Sequence, residues 1–335
     1  MPDSRPLLVV SPNWLGDAVM ALPAIADLGR HFAANPLIIA ARPAVSSLFG
    51  MVAGVNAVVT SDTTAIRDAN AAIAVLLPNS FASAWLVRRA GVPERWGYGA
   101  DMRTVLLTRA VRRPKQPMHQ GAYYQHLVRE LGVPTGPLEP VIAIPPNAAS
   151  DARRLLTQHG WDERSRLIVL APGAAYGKAK QWIPSYVVRL VTDLTRERGA
   201  ACVLVGSRGD ARTTHAIREA APAECRPRIF DLAGATTVPV LAAVVSLASA
   251  CVSNDSGAMH LAAATGVPVV GIFGPTNEKA TSPLARAGVP ADIVMNPVWC
   301  RPCMLRECPI DHRCMTGIEP ARVLVAVDRV SKVTA

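Results

Sequence analysis

The chain has 335 residues, of which 50% are hydrophobic. This length exceeds one ordinary core and suits two domains, and the composition argues against disorder. The 35 Lys and Arg residues against 25 Asp and Glu give a formal charge of +10, which favours an acidic partner. Because no block of basic residues and no basic stripe with interleaved aromatics occurs, we expect an anionic membrane surface or a phosphorylated substrate, and no nucleic acid.

Neither a signal peptide nor a membrane span is predicted. The amino terminus lacks the basic region and the long apolar core of a signal peptide. The longest uncharged apolar stretch, Val238–Ser253, contains Pro239 and is shorter than the about 20 residues that a span requires. We expect a cytoplasmic protein that associates peripherally with the inner leaflet of the inner membrane, in which Val238–Ser253 forms a buried helix and strand.

Short aliphatic runs alternate with longer helical patterns along the chain. The predicted strands are Leu7–Val10, Pro36–Ala40, Ala57–Val59, Ala72–Leu76, Leu167–Leu170, Ala201–Val205, Ala250–Val252 and Val267–Phe273. Strand followed by helix, repeated, predicts parallel sheets with right-handed crossovers. The fold class is therefore α/β, with two Rossmann-like domains that face each other across a cleft between the carboxyl ends of their strands.

The two halves are separated by Val141–Asn147. Adjacent prolines in this segment cannot continue a helix, so it is predicted to be an extended linker. A helix over Asp151–His159 opens the second half, and a helix over Arg322–Val333 ends the chain. The predicted units are two domains and a terminal helix that packs back towards the first domain: 1–147, 148–320 and 321–335.

Two common nucleotide-binding motifs are missing. The only near match to the dinucleotide fingerprint, Gly97-Tyr98-Gly99, lacks a third glycine and does not follow a clear predicted strand. No Gly-rich P-loop with its Lys and Ser or Thr is present either. A nicotinamide dehydrogenase and a P-loop phosphotransferase are both disfavoured.

The first strand ends in the turn Ser11–Asp17. Gly16 permits a close turn, and Asp17 falls at the start of the following helix, at the carboxyl end of the sheet. Asp17 is either a carboxylate stabilised by the helix dipole, which the sequence alone favours, or a general base that takes a proton from an acceptor hydroxyl. Asn13 and Gly16 are candidate acceptor contacts in the same turn.

The first strand of the second half ends in the loop Ala171–Trp182, which is rich in Gly and Ala. At Gly173 and Ala174 such a loop lets backbone N–H groups approach a phosphate, and Lys180 or Lys178 adds positive charge. Solvated surface lysines are the alternative. Paired with the turn described next, this loop favours a nucleotide-diphosphate site.

A third turn, Asn254–Gly257, lies between an apolar run and an Ala-rich stretch that is predicted to be a helix. Asp255, Ser256, Gly257 and His260 fall where a strand ends and a helix offers free N–H groups to an anion. The alternative is ordinary helix capping, for which Asp and Ser are also suited.

Asp210, in the turn after Ala201–Val205, allows two interpretations. It could contact a ribose or cap a helix, and the sequence favours neither.

Four motifs occur in order between residues 11 and 276: Asn13-Trp14-Leu15-Gly16-Asp17, Pro172-Gly173-Ala174 with Lys180-Gln181-Trp182, Asn254-Asp255-Ser256-Gly257 with His260, and Phe273-Gly274-Pro275-Thr276. As an ordered set they resemble the ADP-heptose:lipopolysaccharide heptosyltransferases of glycosyltransferase family nine, most closely their heptosyltransferase II members. The resemblance implies a GT-B fold and lipopolysaccharide core biosynthesis. The reaction it implies is inverting transfer of heptose from ADP-heptose to a lipid A-core oligosaccharide, the second heptose onto the first.

Within this resemblance Asp17 matches the family's proposed base and Lys180 a diphosphate contact. Asp255 to Gly257 and His260 match the donor-binding turn of the carboxyl-terminal domain, which leaves the amino-terminal domain for the acceptor. Arg103 stands in a family-like stretch, with acceptor binding and domain packing as its two possible roles. Family catalysis needs no metal or other cofactor.

Four cysteines are crowded near the carboxyl terminus: Cys300, Cys303, Cys308 and Cys314. In a reducing cytoplasm their spacing favours a tetrahedral thiolate site, usually for Zn²⁺ and otherwise for Fe, over disulfides. Free thiols and a redox-labile disulfide are the alternatives. Any ion here would be structural.

Other activities remain open at this stage. The acceptor could be Kdo or a later heptose in place of the first heptose. A sugar-nucleotide epimerase or hydrolase could use the same fold, and would consume the donor without a lipid acceptor. A non-catalytic nucleotide-binding or membrane-docking protein would bind without turnover, and Asp17 argues against it.

Overall fold

The computed structural model describes residues 4–332. Contacts within the chain define two compact units that divide between Ala143 and Ile144. Each unit contains a six-stranded sheet in which every strand pair is parallel, with helices between the strands. The predicted α/β class with two Rossmann-like domains is confirmed.

In the first unit, aliphatic strands alternate with amphipathic helices. The strands are β1 Leu7–Val10, β2 Leu37–Ala41, β3 Ala57–Thr60, β4 Ile73–Leu76, β5 Glu94–Tyr98 and β6 Arg109–Val111. The helices are α1 Leu15–Met20, α2 Leu22–His31, α3 Pro43–Phe49, α4 Thr63–Asp68, α5 Phe81–Arg89 and α6 Gln120–Glu130. The strand order is β3-β2-β1-β4-β5-β6.

The second unit repeats this plan. Its strands are β7 Leu167–Ala171, β8 Ala201–Leu204, β9 Ile229–Asp231, β10 Ala250–Asn254, β11 Val269–Phe273 and β12 Ala291–Met295. Its helices are α7 Pro146–Gln158, α8 Pro184–Arg198, α9 Ala211–Ala220, α10 Val238–Ser246, α11 Gly257–Thr265, α12 Glu278–Thr281, α13 Arg313–Thr316 and α14 Pro320–Lys332. The strand order is β12-β11-β10-β7-β8-β9.

The two sheets have the same topology. In each of them the first three strands extend the sheet to one side, and the fourth strand returns to pair with the first and extends it to the other side. The reversal lies between β1 and β4 in one unit and between β7 and β10 in the other. In open α/β sheets ligands bind outside the carboxyl ends of the strands at this switch point. The loops after β1, β4, β7 and β10 are therefore the expected positions of ligand-binding residues.

The second sheet is buried on both faces, as its continuous apolar strands require. In β7, Leu167 and Val169 pack into one hydrophobic cluster while Ile168 and Leu170 pack into another on the opposite face. This double burial fixes the strand register and therefore the places where the loops leave the sheet.

The segment between the two halves differs from the predicted linker. Pro146 is the first residue of α7, so the helix predicted over Asp151–His159 begins five residues earlier. Proline is favoured at the first helical position because its missing N–H would have no partner there. The prediction failed because it treated the prolines only as helix breakers.

The terminal helix α14 packs against α8 and the strands β10, β11 and β12 of the second unit. Of the predicted range Arg322–Val333, Val333 lies outside the described residues. Among the helices of residues 4–332, none combines the length and apolar character that crossing a membrane would require.

Candidate functional site

The loops that leave β7 and β10 are tied together by Asn254, the last residue of β10. Its Nδ2 donates to the carbonyl oxygens of Pro172 at 2.6 Å and Gly173 at 3.3 Å, and its Oδ1 accepts from the backbone N–H of Trp182 at 3.2 Å. Asn254 is 1% exposed. The amide therefore anchors both ends of the loop 172–182 to the end of the neighbouring strand. Sequence reasoning gave Asn254 no role of its own; a polar residue ending a buried strand was the available signal.

An ion pair joins the same two loops. Lys180 ends a short 3₁₀ turn, and its Nζ lies 2.8 Å from Oδ2 of Asp255 and 4.9 Å from the centroid of the Tyr176 ring. The Lys180 and Asp255 side chains are 14% and 5% exposed. Both residues were predicted to contact the donor, and the structure brings them into contact with each other.

The amino terminus of α11 lies immediately after this pair. Ser256 is the N-cap residue, but its Oγ lies 3.0 Å from Oγ of Ser253 and makes no capping bond that the structure records within residues 4–332. The first turn, from Gly257, contains no acidic residue. A nine-residue helix thus presents its first amides and positive dipole end at the switch point, an arrangement that suits an anion.

His260 lies one turn into α11 and is 3% exposed. Its Nε2 is 4.0 Å from Oδ1 of Asp255, so the ring lies beside that carboxylate. The observed neighbour of His260 is thus Asp255, and a direct contact with the donor stays a prediction.

Asp210 serves as part of a capping box. Its Oδ2 accepts from the backbone N–H of Ser207 at 2.8 Å and from the Ser207 hydroxyl at 2.7 Å. The same carboxylate lies so close to Gly173 that a methyl group there would overlap it. The capping interaction is therefore present, and Asp210 also borders the Gly173–Ala174 loop. A ribose contact stays a prediction.

In the first unit, Asp17 lies in the first turn of α1, and α1 packs against α6. Burial, and next the negative charge of Asp17, raise the pKa of Tyr124 on α6. Asn13 and Trp14 are exposed, Trp14 to 56%, while Gly16 and Asp17 are half-buried. The loop after β1 therefore presents a carboxylate and an exposed tip at the carboxyl edge of the sheet.

Arg103 is 0% exposed. Its Nε donates to the carbonyl oxygen of Tyr98 at 2.8 Å, and Nη1 donates to the carbonyl oxygen of Pro78 and to Oγ of Ser83. Burial lowers the pKa of Arg103 to about 10. These contacts clamp the loop after β4 to the end of β5, and they are packing contacts.

The four clustered cysteines line one cavity beside the loop that carries Lys180. Burial, and then the thiols of Cys300, Cys308 and Cys303, raise the pKa of Cys314 to about 11. The backbone N–H of His312 donates to Sγ of Cys308 at 3.3 Å. Among the described residues no three His, Cys, Asp or Glu side chains are already assembled as a metal site, and the predicted ion stays a prediction.

Most predicted donor residues thus gather at one switch point. The group contains a lysine, uncapped helix amides and a loop of small residues, which together can bind a diphosphate and offset negative charge on a leaving group. The predicted acceptor residues lie in the first unit.

Comparison with known proteins extends this picture. The sequence profile of "Glycosyltransferase family 9 (heptosyltransferase)" matches residues 59–313. Lipooligosaccharide heptosyltransferase 2 of Haemophilus influenzae is 28% identical over 300 residues, which cover 83% of this chain and 86% of the relative.

Two solved structures have the same fold. Escherichia coli ADP-heptose lps heptosyltransferase II aligns with a TM-score of 0.84 at 26% identity, and the alignment covers 98% of each chain. E. coli heptosyltransferase WaaC with ADP aligns with a TM-score of 0.74 at 17% identity over 96% of this chain and 99% of that one. The predicted GT-B fold is confirmed.

Proposed function

The chain belongs to glycosyltransferase family 9, the heptosyltransferases. We propose that it transfers L-glycero-D-manno-heptose from ADP-heptose to the first heptose of the lipopolysaccharide inner core. Its similarity to heptosyltransferase 2 enzymes over 83% of its length supports the class of core glycosyltransferase. The single observation that carries the donor proposal is the grouping of Lys180, Asp255 and the uncapped start of α11 at the second switch point.

This grouping suits the departure of ADP. When the glycosidic bond to the diphosphate breaks, negative charge grows on the leaving oxygen, and a fixed ammonium and helix amides lower the energy of that state. They need no metal ion to do so. A solved relative of the same fold holds ADP, which supports an ADP-sugar as the donor.

Asp17 is proposed as the general base. It would accept the proton of the acceptor hydroxyl while that oxygen attacks the anomeric carbon on the face opposite ADP, so that the configuration inverts. The position of Asp17 in the first turn of α1, just after β1 at the carboxyl edge of the first sheet, supports this role.

The charge of the chain supports an anionic acceptor. A lipid A-core oligosaccharide carries phosphates and carboxylates, and the chain carries a net charge of +10. The same positive charge supports peripheral association with an anionic inner leaflet in the cytoplasm.

Three acceptors test the proposal: lipid A-core oligosaccharides that end in Kdo, in the first heptose and in the second heptose. Each is incubated with ADP-heptose and followed by mass spectrometry. We expect only the acceptor that ends in the first heptose to gain one heptose, and NMR of the product to show inverted configuration. Gain on the Kdo acceptor would reassign the acceptor, and consumption of ADP-heptose without any acceptor would favour a hydrolase or epimerase.

A further inference from the structure

The cysteine segment is a long irregular stretch without a core of its own. Residues 296–312, between β12 and α13, contain no helix or strand, and their large apolar side chains at Trp299, Met304, Leu305 and Ile310 are exposed. Irregular segments of this length are uncommon inside compact domains, and small units without a core are typically held by disulfides or metal ions. Something other than hydrophobic burial must therefore hold the segment in place.

Hydrogen bonds attach this segment to the loop that carries Lys180. The backbone N–H of Ala179 donates to the carbonyl oxygen of Arg306 at 2.9 Å, and the Tyr176 hydroxyl donates to the carbonyl oxygen of Met304 at 2.9 Å. Nε2 of His312 lies 2.7 Å from the carbonyl oxygen of Ala179. The cysteine segment therefore forms one wall of the Lys180 loop.

The four cysteines lie along one cavity that both ends of this segment border. Cys300, Cys303, Cys308 and Cys314 all line the cavity whose other walls include Ala179. All four are free cysteines in the structure, with Cys303 and Cys308 exposed and Cys314 buried. A cavity lined by four cysteines, two of which are exposed, suits a single thiophilic cation, because thiolates are the preferred ligands of Zn²⁺ and iron.

A hydrogen-bond donor and a cationic side chain lie beside these cysteines. The N–H···S hydrogen bond from His312 to Cys308 is of the kind that stabilises a ligand sulfur, and the Arg301 guanidinium lines the same cavity. Arg301 additionally bonds the carbonyl oxygens of Gly274 and Thr276 and pairs with Glu278, so it is fixed in place. Because the thiols are not yet assembled as a site within residues 4–332, the cation would draw them together as their protons leave.

We propose that Cys300, Cys303, Cys308 and Cys314 bind one structural Zn²⁺ or iron ion, and that this ion positions the Lys180 loop by fixing the segment packed against it. The ion takes no part in transfer. Its proposed effect on the loop adds to the function proposed above, but its presence is independent of that function.

Metal content tests the site directly. Full-length protein is purified under reductant, reconstituted with Zn²⁺ and dialysed, and zinc and iron are then measured by plasma mass spectrometry. We expect one metal ion per chain in the unmodified protein and in Cys251→Ala, a control at a buried core cysteine, and less than a tenth of that in Cys303→Ser and Cys308→Ser. Both of these test positions are exposed, so the substitutions leave the core intact. Metal-free unmodified protein, or retention of the ion by both serine variants, would overturn the site.

Hydrogen exchange tests the positioning. Removal of the ion should raise exchange at the Ala179 amide by about tenfold or more, and leave the 11–17 loop of the first unit unchanged. Unchanged exchange at Ala179 in protein shown to have lost a bound ion would overturn the positioning. Neither measurement uses ADP-heptose or an acceptor, so failure here is distinguishable from failure of the proposed function.

Discussion

Lys180 and Asp255 form a nearly buried ion pair across the switch point of the second sheet, with Nζ 2.8 Å from Oδ2. The pair explains how a carboxylate can stand beside the proposed diphosphate site. Its negative charge is offset by Lys180, and the lysine is held in place by Asp255. A donor would therefore meet a lysine that is already ordered.

Separating this pair should be costly. Lys180→Met would leave the Asp255 carboxylate buried without its cation and should lower the free energy of unfolding by about 3 kcal/mol, as measured by urea denaturation. The double variant Lys180→Met with Asp255→Asn should recover part of that loss, about 1–2 kcal/mol, because no unpaired charge remains.

The same variants separate stability from binding. We expect both proteins that lack Lys180 to bind ADP more weakly by calorimetry, including the more stable double variant. If Lys180→Met binds ADP with wild-type affinity, Lys180 does not contribute to the proposed diphosphate site. If the double variant is no more stable than Lys180→Met, the two charges do not stabilise each other.

The role proposed for Asp17 gives a separate prediction. Asp17→Asn keeps the shape of the side chain but removes its basicity, so heptose transfer should fall by about 10²- to 10⁴-fold. Calorimetry should find the ADP-heptose dissociation constant within severalfold of wild type, since the donor residues lie in the other unit. Asp68→Asn, at an exposed position in the same unit, is the control and should keep full activity. Near wild-type turnover in Asp17→Asn would exclude it as the base.

The sequence predicted strands well where burial makes them uniform. Leu7–Val10 was predicted to the residue, because a parallel strand covered on both faces is a continuous apolar run. β5, Glu94–Tyr98, was missed because it begins with exposed or half-buried polar residues, and Gly97 was considered only within a near match to the dinucleotide fingerprint. β12, at the sheet edge, begins with Ala291 and Asp292 and was missed for a similar reason.

The candidate site shows the same limit. The alternation of strands and helices predicts a parallel sheet, in which the loops after neighbouring strands lie at the same edge. Because β7 and β10 are neighbours, this arrangement brings Lys180 and Asp255 together. Two features depend on how loops fold back on the sheet: the full burial of Arg103, and the hydrogen bonds between Asn254 and both ends of the 172–182 loop, here called the Asn254 staple. The spacing of residues in the sequence does not predict how these loops fold. The burial of an arginine cannot be predicted without knowing which residues surround it.

The Asn254 staple should be sensitive to a single atom change. In Asn254→Asp an oxygen replaces the Nδ2 that donates to Pro172 and Gly173, so a carboxylate oxygen would face two carbonyl oxygens. We expect a loss of about 2 kcal/mol in the free energy of unfolding and weaker ADP binding because the 172–182 loop is released.

Asn254→Ala is the comparison. It leaves the same backbone groups without the staple but introduces no repulsion, so its loss of stability should be smaller than that of Asn254→Asp. Equal stability of all three proteins in urea would show that the staple contributes nothing.

Gly177 lies where the Lys180 loop packs against the backbone of the cysteine segment. Its extended backbone is accessible to any residue, but a methyl group there would overlap the carbonyl oxygen of Arg306 and lie 2.8 Å from its Cα. Because the obstacle is backbone, relief requires the two segments to separate, and with them the bond from Ala179 to Arg306. Gly177→Ala should lower the free energy of unfolding by about 1–3 kcal/mol and weaken ADP binding.

Gly209→Ala is the matched control. Gly209 is exposed, its backbone does not have a positive φ, and the nearest atom to an added methyl group is Oγ of Ser207 at an ordinary 3.5 Å. This substitution should change stability by less than about 0.5 kcal/mol, or raise it slightly by restricting the unfolded chain. Urea denaturation and ADP calorimetry on both variants decide the matter. If Gly177→Ala behaves like Gly209→Ala in both measurements, the close packing of the cysteine segment does not hold the Lys180 loop.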